Sequence, residues 1–552
     1  MYRRLIGQWT GFALVVCAPA ASFAQTITWE RVAKVGEPVP GLDGMVFKAT
    51  SIAQIDNTGS VLTRVCWGRP GPPIPPAWCG LMYGPPGDPV FFQEQDTQAP
   101  GLPRGTTFNG GSSYSLARSG FVGTLSTLNA PVDSDHAIYS GVPASMLQLV
   151  DAEGQPYPAQ NSQTTLALSL PGINSTGQVV YHSFLTNAPP EALTPGALSL
   201  AVPGAVTLVG QDGAEVAAIP GALHQYIGFN GFDLNDQGTV LYTSELSGPN
   251  ISPQDSFAFL LHTASSNSVV ARTGFQAPDM APGVTFVGLA SYPRLANSGS
   301  VGFLGAVQGP GIDASNNIGI WAGEADALQV VATTGDTLPG LEPGIDINGF
   351  GSILLSHSDR LFFQGFLRGD GVTVFNDQAL WTADAHGEPE LLLREGTQAF
   401  GLPDGVNFLF FMPSSNVPSP RFAQNAEGDV LLAVGLTGPG VTEANNHSLW
   451  FRDSYTGIWS LILRTGDQID GMTIAPAGGV VGSSISLEGA SNSIGNAFSQ
   501  SLVDDGTFAV RLRFLPVAPI YSGVYRFTVP EPSSAILALV YAMLVNVRIR
   551  HK

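Results

Sequence analysis

Positive charge is scarce in this sequence. The 552 residues include 23 Lys and Arg against 43 Asp and Glu, which gives a formal net charge of −20 at pH 7. A chain of this sign repels phosphate backbones, so we expect no nucleic-acid partner. Charged residues of both signs make up only 12% of the chain, whereas hydrophobic residues make up 44%, which is enough for a large core.

Cysteine is equally rare, with three residues. Cys17 lies in an N-terminal segment in which Arg3 and Arg4 precede an apolar stretch, residues 11–17, and the small residues Ser22 and Ala24 flank Phe23. This order is typical of a secretory signal peptide that is cleaved after Ala24. A buried N-terminal strand is the alternative.

Only Cys66 and Cys79 then remain in the mature chain, on either side of the loop WGRPGPPIPPAW. In an oxidising compartment such a pair is expected to form a disulfide that closes the loop. Two free, partly buried thiols are the alternative. Because no His lies near either residue in the sequence, we do not expect a zinc site here.

A long hydrophobic run is also missing at the C-terminus. The apolar stretch Ala535–Val547 is 13 residues long, whereas a full membrane span needs about 20. It follows Pro530, Glu531 and Pro532, and it precedes the basic end Arg548, Arg550, His551 and Lys552.

The order of these three parts resembles the PEP-CTERM sorting signal of bacterial surface proteins. The resemblance covers residues 529–552 and implies that a membrane-embedded exosortase reads Pro530-Glu531-Pro532. It also implies a C-terminal hydrophobic helix in the membrane with its basic end on the cytoplasmic side. A plain C-terminal anchor is the alternative, and both interpretations place an exported protein at the cell surface.

Helical periodicity is absent, and three sequence marks recur instead about every 60 residues. The first is a glycine after a short apolar run, with Asp96 in its place once: Gly36, Asp96, Gly154, Gly213, Gly274, Gly335, Gly396 and Gly466. The second is an N-x-x-G type turn, whose residues are Asp56, Gly59, Asn174, Gly177, Asn235, Gly238, Gly299, Asn425 and Gly428. The third is an aromatic residue: Trp78, Tyr139, Phe259, Trp321, Trp381, Trp450 and Tyr525, with Leu198-Ser199 in the third unit.

Each mark predicts a local structure. An Asx side chain accepts a hydrogen bond from a backbone N–H two residues on, and glycine adopts the positive φ of such a turn, so N-x-x-G predicts a hairpin between two strands. The aromatic and the glycine then mark a third and a fourth strand. Four-stranded units in tandem predict an all-β fold, an eight-bladed β-propeller, with seven blades as the alternative. The aromatics are expected to fill the gaps between blades.

The two ends of the chain supply complementary parts of one unit. The last unit stops after its third strand, and the N-terminus begins with a fourth strand that has no first three. We therefore predict that residues 27–35 pair with residues 523–529 and close the ring, which would remove both exposed edges.

The units also resemble a family of exported bacterial proteins with tandem N-x-x-G-x-x-A-F repeats. Gly302-Phe303 comes closest to the Ala-Phe ending. The resemblance spans nearly all of the mature chain and implies a surface location without a defined activity.

Catalytic signatures are missing as well. None of the eight His residues forms an H-E-x-x-H pair, and no G-x-S-x-G, P-loop or dinucleotide fingerprint occurs. We interpret His136, His182 and His447 as structural. Five acids lie at or just after the glycine mark and are expected to cap turns, with a ring of carboxylates for Ca²⁺ as the alternative: Glu37, Asp96, Glu215, Asp336 and Asp467.

The sequence thus predicts a signal peptide over residues 1–24, a propeller over 25–528 and a sorting segment over 529–552. We expect a monomeric, cell-surface-sorted, non-catalytic module for binding, adhesion or matrix display, without a cofactor. Its expected partners are an exosortase, the membrane through its C-terminal segment, and an extracellular polysaccharide or a surface protein. A secreted glycan hydrolase or lyase, which would need two converging carboxylates, and a structural coat protein are the alternatives.

Overall fold

A computed structural model describes residues 27–71, 78–159, 162–169, 171–186, 196–290, 293–384, 387–410, 421–476, 484–487, 501–515 and 521–529. The predicted signal peptide and the sorting residues Pro530, Glu531 and Pro532 lie outside these ranges, as does the predicted C-terminal helix. None of the helices in the described ranges has the length and hydropathy of a membrane span.

The described chain forms β-strands, two short 3₁₀ helices at Val132–Ser134 and Pro143–Ser145, and no α-helix. In chain order the strands are β1 (Thr28–Lys34), β2 (Val46–Ile55), β3 (Val61–Gly68), β4 (Trp78–Gly84), β5 (Val90–Phe92), β6 (Thr107–Leu116), β7 (Val122–Asn129), β8 (His136–Gly141), β9 (Gln148–Ala152), β10 (Thr165–Leu168), β11 (Gly172–Ile173), β12 (Val179–Leu185), β13 (Gly196–Val202), β14 (Ala205–Gln211), β15 (Leu223–Leu234), β16 (Val240–Ser247), β17 (Phe257–His262), β18 (Asn267–Arg272), β19 (Thr285–Leu289), β20 (Arg294–Leu295), β21 (Val301–Gln308), β22 (Ile318–Gly323), β23 (Gln329–Thr333), β24 (Ile345–Leu355), β25 (Arg360–Gly369), β26 (Gln378–Asp384), β27 (Glu390–Arg394), β28 (Asn407–Leu409), β29 (Arg421–Gln424), β30 (Val430–Thr437), β31 (His447–Arg452), β32 (Trp459–Arg464), β33 (Gln468–Ile469), β34 (Met472–Thr473), β35 (Ile485–Ser486), β36 (Thr507–Phe514) and β37 (Tyr521–Thr528).

These strands build eight antiparallel sheets of four or five strands and one small hairpin, β33–β34. We name the sheets blade 1 (β2–β5), blade 2 (β6–β9), blade 3 (β10–β14), blade 4 (β15–β18), blade 5 (β19–β23), blade 6 (β24–β27), blade 7 (β28–β32) and blade 8 (β35–β37 with β1). The prediction of an all-β, eight-bladed propeller is confirmed, and the seven-blade alternative is wrong.

The eighth sheet combines strands from both ends of the chain. β1 pairs antiparallel with β37, with Thr28 opposite Thr528 and Lys34 opposite Gly523. β1 is therefore the outermost strand of blade 8, in the order β1-β37-β36-β35.

The hydrophobic core is divided into layers between neighbouring blades. One cluster joins Phe259 of blade 4 to Phe303 and Trp321 of blade 5, and another joins Val524 of blade 8 to Phe47 of blade 1. Both faces of most strands are buried, so a single blade would leave much of its apolar surface in water.

Antiparallel order places the connections on two opposite faces. The hairpins between first and second strands and between third and fourth strands lie on one face, which we call the turn face. The connections from second to third strand, and from one blade to the next, lie on the other, the loop face. On the loop face of blade 1, Cys66 and Cys79 are opposite each other in β3 and β4 and form a disulfide.

The glycine mark opens each connection between blades. Its backbone N–H donates to a carbonyl in or next to the first strand of the next blade, as from Gly274 to Phe286 (2.7 Å) and from Gly335 to Ile347 (2.8 Å). Gly466 is the exception, because its acceptor is Ile474, which directly follows β34. All seven glycines have φ between 75° and 93°. Asp96 makes the equivalent bond to Phe108 at a φ of 66°, which is strained for a residue with a Cβ.

This conformation predicts opposite effects at two equivalent positions. Gly274→Ala is expected to destabilise the protein by about 1–2 kcal/mol, because alanine is strained at this φ, and the new Cβ would lie 2.9 Å from Cβ of Asp255. Asp96→Gly removes strain and is expected to be neutral or stabilising by up to about 1 kcal/mol. Chemical denaturation of both variants checks this, and equal losses would contradict it.

The aromatic mark needs two corrections. Tyr139, Trp321, Trp381, Trp450 and Tyr525 are fully buried in third strands, each beside a register shift to the fourth strand. Trp78 only begins β4 and is half-buried, and fully buried Leu81 lies further along that strand. In blade 4 the residue after the register shift is Leu260, and Phe259 packs toward blade 5 instead.

Blade 3 has no aromatic at this position, and the connection before it supplies one. Ser199 follows the register shift in β13, and its Oγ forms a hydrogen bond with Oη of Tyr157. Tyr157 is fully buried and stands where other connections carry a smaller residue such as Ala99 or Ala277. The sequence reading missed Tyr157, because it lies outside the third strand that it completes.

Candidate functional site

The N-x-x-G turns converge on the turn face and are hydrogen-bonded to one another. Within a turn, Asn235 Oδ1 accepts from the N–H groups of Gln237 (3.1 Å) and Thr239 (2.9 Å), and Asp56 and Asn174 act in the same way. The glycines of the N-x-x-G turns all have positive φ: Gly59, Gly177, Gly238, Gly299 and Gly428.

Each turn also bonds to the turn of the next blade. The links, in blade order, are Asn57 N to Arg118 O (3.0 Å), Ser119 Oγ to Ser175 O (2.8 Å), Asn174 Nδ2 to Asn235 O (2.9 Å), Asn235 Nδ2 to Ala296 O (3.2 Å), Asn297 N to His357 O (3.2 Å), Ser358 Oγ to Ala426 O, Asn425 Nδ2 to Val503 O (3.1 Å) and Asn57 Nδ2 to Asp504 Oδ2 (3.1 Å). The last of these joins blade 8 to blade 1.

Charged side chains lie among these turns. Arg118 Nη1 of blade 2 donates to both carboxylate oxygens of Asp504 in blade 8 (2.8 and 3.0 Å), and the N–H of Ala426 in blade 7 donates to Oδ1 (3.0 Å). Asp504 therefore connects four blades. Burial and, to a smaller extent, Arg118 lower the pKa of the adjacent His357 to about 4, against the opposing effect of Asp236 and Asp504. His357 is therefore neutral at pH 7, and the turns of neighbouring blades are joined by a common network of hydrogen bonds and one ion pair.

On the loop face, one repeated position caps the third strands. The residue before the glycine mark accepts a hydrogen bond from the first N–H of the third strand in five blades. From donor to acceptor, these bonds are His136 N to Glu153 Oε2 (3.0 Å), Gly196 N to Asp212 Oδ2 (3.0 Å), Phe257 N to Thr273 Oγ1 (3.1 Å), Ile318 N to Thr334 Oγ1 (3.2 Å) and His447 N to Thr465 Oγ1 (3.2 Å).

Blade 2 uses this position differently, because its long Glu153 side chain also reaches an imidazole. Nδ1 of His136 lies 3.3 Å from Oε2 of Glu153 and 2.8 Å from Oδ1 of Asp135. Glu153 is only 5% exposed, whereas Asp135 and His136 are partly open to solvent. Burial raises the pKa of Glu153, and the imidazole partly opposes that rise. His136 was interpreted from the sequence as structural, but it stands between two carboxylates.

The five acids at or just after the glycine mark do not assemble into one site. Asp336 accepts from the N–H of Thr333 (2.6 Å), Asp467 from the N–H of Arg464 (2.7 Å), and Glu215 from the N–H of Gly221 (3.1 Å). Asp96 accepts from Asn129, and Glu37 pairs with Arg31 at 3.5 Å. In the described ranges, only Asp135, His136 and Glu153 bring three metal-type ligand atoms within 4.8 Å of one another.

Exposed apolar side chains form the second feature of the loop face. Phe275 follows a glycine mark and is 52% exposed, and Phe375, in the connection between β25 and β26, is 48% exposed. Beside Phe275 lies a cavity of about 360 Å³, lined mostly by apolar residues such as Ile219, Pro220 and Val269. The guanidinium of Arg272 stacks 4.6 Å from the Phe275 ring and pairs with Asp255 at 2.6 Å. The charged group at the cavity is thus already engaged.

Solved structures with similar folds share little sequence with this chain. A puromycin hydrolase mutant is 9% identical with a TM-score of 0.35, and the match covers 77% of this chain and 55% of that protein. Polysaccharide lyase Uly1 is 10% identical, with coverage of 79% and 94% and a TM-score of 0.34. A Synechocystis apocarotenoid oxygenase mutant is 11% identical, with coverage of 80% and 93% and a TM-score of 0.29. These similarities say nothing about activity.

Among curated proteins, none matches this chain. One family model matches it twice, over residues 28–345 and over residues 281–536. The two matches overlap, as expected for tandem repeats, and together they cover nearly all of the described propeller. The protein therefore belongs to the family of unknown function DUF7453.

Proposed function

We propose that the protein is an exported surface propeller that binds an extracellular polymer through its loop face. The observation that carries this proposal is the pair of half-exposed aromatic rings, Phe275 and Phe375, on the loop face. Exposed apolar side chains are typical of interaction sites, and Phe275 also lines the cavity of about 360 Å³. The opposite face is occupied by turns that bond to one another, so it serves as the rigid support.

The net negative charge of the protein favours neutral polymers over polyanions as ligands. A net charge of −20 repels polyanions, so a neutral polysaccharide is the favoured ligand. The apolar face of a sugar ring can stack on a phenylalanine ring, which needs no charge. A surface protein that presents apolar side chains could bind to the same exposed rings and is the alternative ligand.

The aromatic residues give the first test of this function. The double variant Phe275→Ser/Phe375→Ser is expected to bind a neutral cell-surface polysaccharide at least about tenfold more weakly, because two stacking faces are lost. Its Tm should be nearly unchanged, since both rings are half-exposed. The matched control is Tyr455→Ser/Ile458→Ser, which removes two exposed apolar side chains from the turn face. Equal loss in both double variants, measured on a glycan array, would contradict the proposal.

The second candidate is a glycan hydrolase or lyase, and the arrangement of Asp135, His136 and Glu153 favours it. Two carboxylates around an imidazole are groups that general acid–base chemistry uses. Incubation of the protein with the bound polysaccharide separates the two candidates. New reducing ends or unsaturated products that disappear in Glu153→Gln would establish the enzyme, and intact polysaccharide would support the binding module.

We further infer that the ring is closed by β1 and β37 and that the chain is exported and sorted to the cell surface. The N-terminal segment over 1–24 and the PEP-CTERM-like segment over 529–552 support export and sorting, and an exosortase is the proposed partner. Replacing Pro530, Glu531 and Pro532 with alanine is expected to abolish processing and surface display, as measured by cell fractionation and the mass of the mature chain. Unchanged processing and display would refute sorting by this motif.

A further inference from the structure

We propose that Asp135, His136 and Glu153 form a binding site for one divalent transition-metal cation of the Zn²⁺ type on the loop face of blade 2. The site would be a metal centre that neither the repeat pattern nor the polymer-binding function requires. Its ligands are the imidazole Nδ1 and one oxygen from each carboxylate.

The spacing of the ligand atoms fits this cation. Nδ1 of His136 lies 2.8 Å from Oδ1 of Asp135 and 3.3 Å from Oε2 of Glu153. Zn²⁺ binds nitrogen and carboxylate oxygen at about 2.0–2.2 Å, which places neighbouring ligand atoms about 3–3.5 Å apart. Small side-chain rotations would therefore admit the ion.

The backbone holds all three ligands in place. His136 is the first residue of β8, its N–H donates to Glu153, and the N–H of Glu153 donates to the carbonyl of His136 (3.0 Å). The carbonyl of Asp135 accepts from the N–H of Leu128 in β7 (2.7 Å). The site thus rests on the ends of two sheet strands, which gives the precision that a metal centre needs.

Electrostatics favours a cation at this place. Two carboxylates share one imidazole, and Glu153 is 5% exposed, so its charge is poorly solvated. In the described ranges, the ion pairs of Asp135 and Glu153 involve only His136, with no Lys or Arg. A protonated imidazole would balance one negative charge, whereas a divalent cation bound to neutral imidazole balances both.

Equivalent positions in other blades lack this combination. Blade 6 carries Asp377, Gln378 and Glu395, which keep both acids but replace the imidazole with an amide. Blade 7 carries His447, which is fully buried, with Asn446 and Thr465 in place of the acids. Blade 2 therefore departs from the repeat at the positions that supply metal ligands, and the other two blades provide internal controls.

The ligand set also selects the class of metal. Ca²⁺ takes six to eight oxygen ligands, whereas this site offers one nitrogen and two carboxylates. Imidazole with carboxylate suits Zn²⁺ and its neighbours in the first transition row. Asp135 and His136 are partly open to solvent, so water can complete the coordination and the ion can enter.

Isothermal titration of the full chain, stripped with EDTA and free of any histidine tag, tests the site with Zn²⁺ and Ca²⁺ as the probes. We expect one Zn²⁺ per chain and no comparable binding of Ca²⁺. Asp135→Asn and Glu153→Gln should each weaken Zn²⁺ binding at least about tenfold, and Glu153→Gln keeps an acceptor for the N–H of His136. His136→Gln, which copies the blade 6 set, should do the same.

The matched control is Asp377→Asn, the equivalent acid of blade 6, which should leave Zn²⁺ binding unchanged. Absence of a one-to-one Zn²⁺ complex, equal loss in Asp377→Asn, or Ca²⁺ binding as tight as that of Zn²⁺ would overturn the proposal. If Glu153→Gln lowers the Tm strongly, the loss of Zn²⁺ binding in Asp135→Asn becomes the decisive measurement, because the Asp135 side chain is at the surface of the site.

Discussion

Replacing Tyr157 with alanine is expected to destabilise the propeller by about 3–5 kcal/mol, as large aromatic truncations in a packed core do. The ring is fully buried in the position that a tryptophan or tyrosine of the third strand fills in other blades. The substitution would leave a cavity and remove the partner of the Ser199 hydroxyl. Chemical denaturation measures the loss, and Tyr455→Ala, at a 79% exposed site, is the control that should stay within about 0.5 kcal/mol of the wild type.

A second substitution, at Ser199, tests whether the loss comes from the space that the Tyr157 ring fills. Ser199→Tyr alone should cost about 1–3 kcal/mol, because the site is already full. The double variant Tyr157→Ala/Ser199→Tyr recreates the pair Ala99 and Tyr139 of blade 2, so it should recover at least half of the loss of Tyr157→Ala. Additive effects of the two substitutions would show that the two side chains do not share one space.

Asp504→Ala is expected to cost about 2–4 kcal/mol, because it leaves Arg118 and two other donors without their shared acceptor. The side chain accepts four hydrogen bonds from Arg118, Asn57 and Ala426, which belong to three other blades. Removal of this carboxylate should therefore loosen the junction of the first and last blades. Denaturation curves and hydrogen exchange of the turn-face amides would measure the effect.

The neighbouring acid is a close control. Asp505 is exposed and accepts one hydrogen bond, from the N–H of Thr507 (2.9 Å), so Asp505→Ala should cost about 1 kcal/mol or less. Asp504→Asn should fall between the two alanine variants, because it keeps one acceptor oxygen but loses the charge. Similar losses for Asp504→Ala and Asp505→Ala would mean that the turns carry no common network.

Much of the fold was readable from the sequence because its signals are local. Asn235 and Gly238 define their turn within five residues through an Asx hydrogen bond and a positive φ, and the same chemistry recurs in other blades. The glycine mark could be read for the same reason, including Asp96, whose short polar side chain tolerates the left-handed conformation. Repetition of these marks predicted eight blades, and the eight sheets of the structure decided against the alternative of seven.

The aromatic mark shows the limit of what residue type and spacing can predict. Trp78 has the expected residue type but only begins β4, which pairs with the fourth strand from Leu81 onward. Phe259 also has the expected type at nearly the expected spacing, but the register shift to the fourth strand decides which side of the sheet a residue faces. A shift of one residue exchanges the two faces, so residue type alone could not distinguish Phe259 from Leu260. The compensation of Ser199 by Tyr157 was hidden for a related reason, since it joins two different elements.

The sequence by itself determined the all-β class and the period of the repeat, and it predicted eight blades with seven as the alternative, because turn chemistry and strand patterning act over a few residues. Only the tertiary structure brought Glu153 to Asp135 and His136, because the pairing of β8 with β9 sets that distance, and only it brought Arg118 to Asp504 across 386 residues. Those contacts depend on how strands and blades are registered in space, and no local pattern in the chain encodes that register.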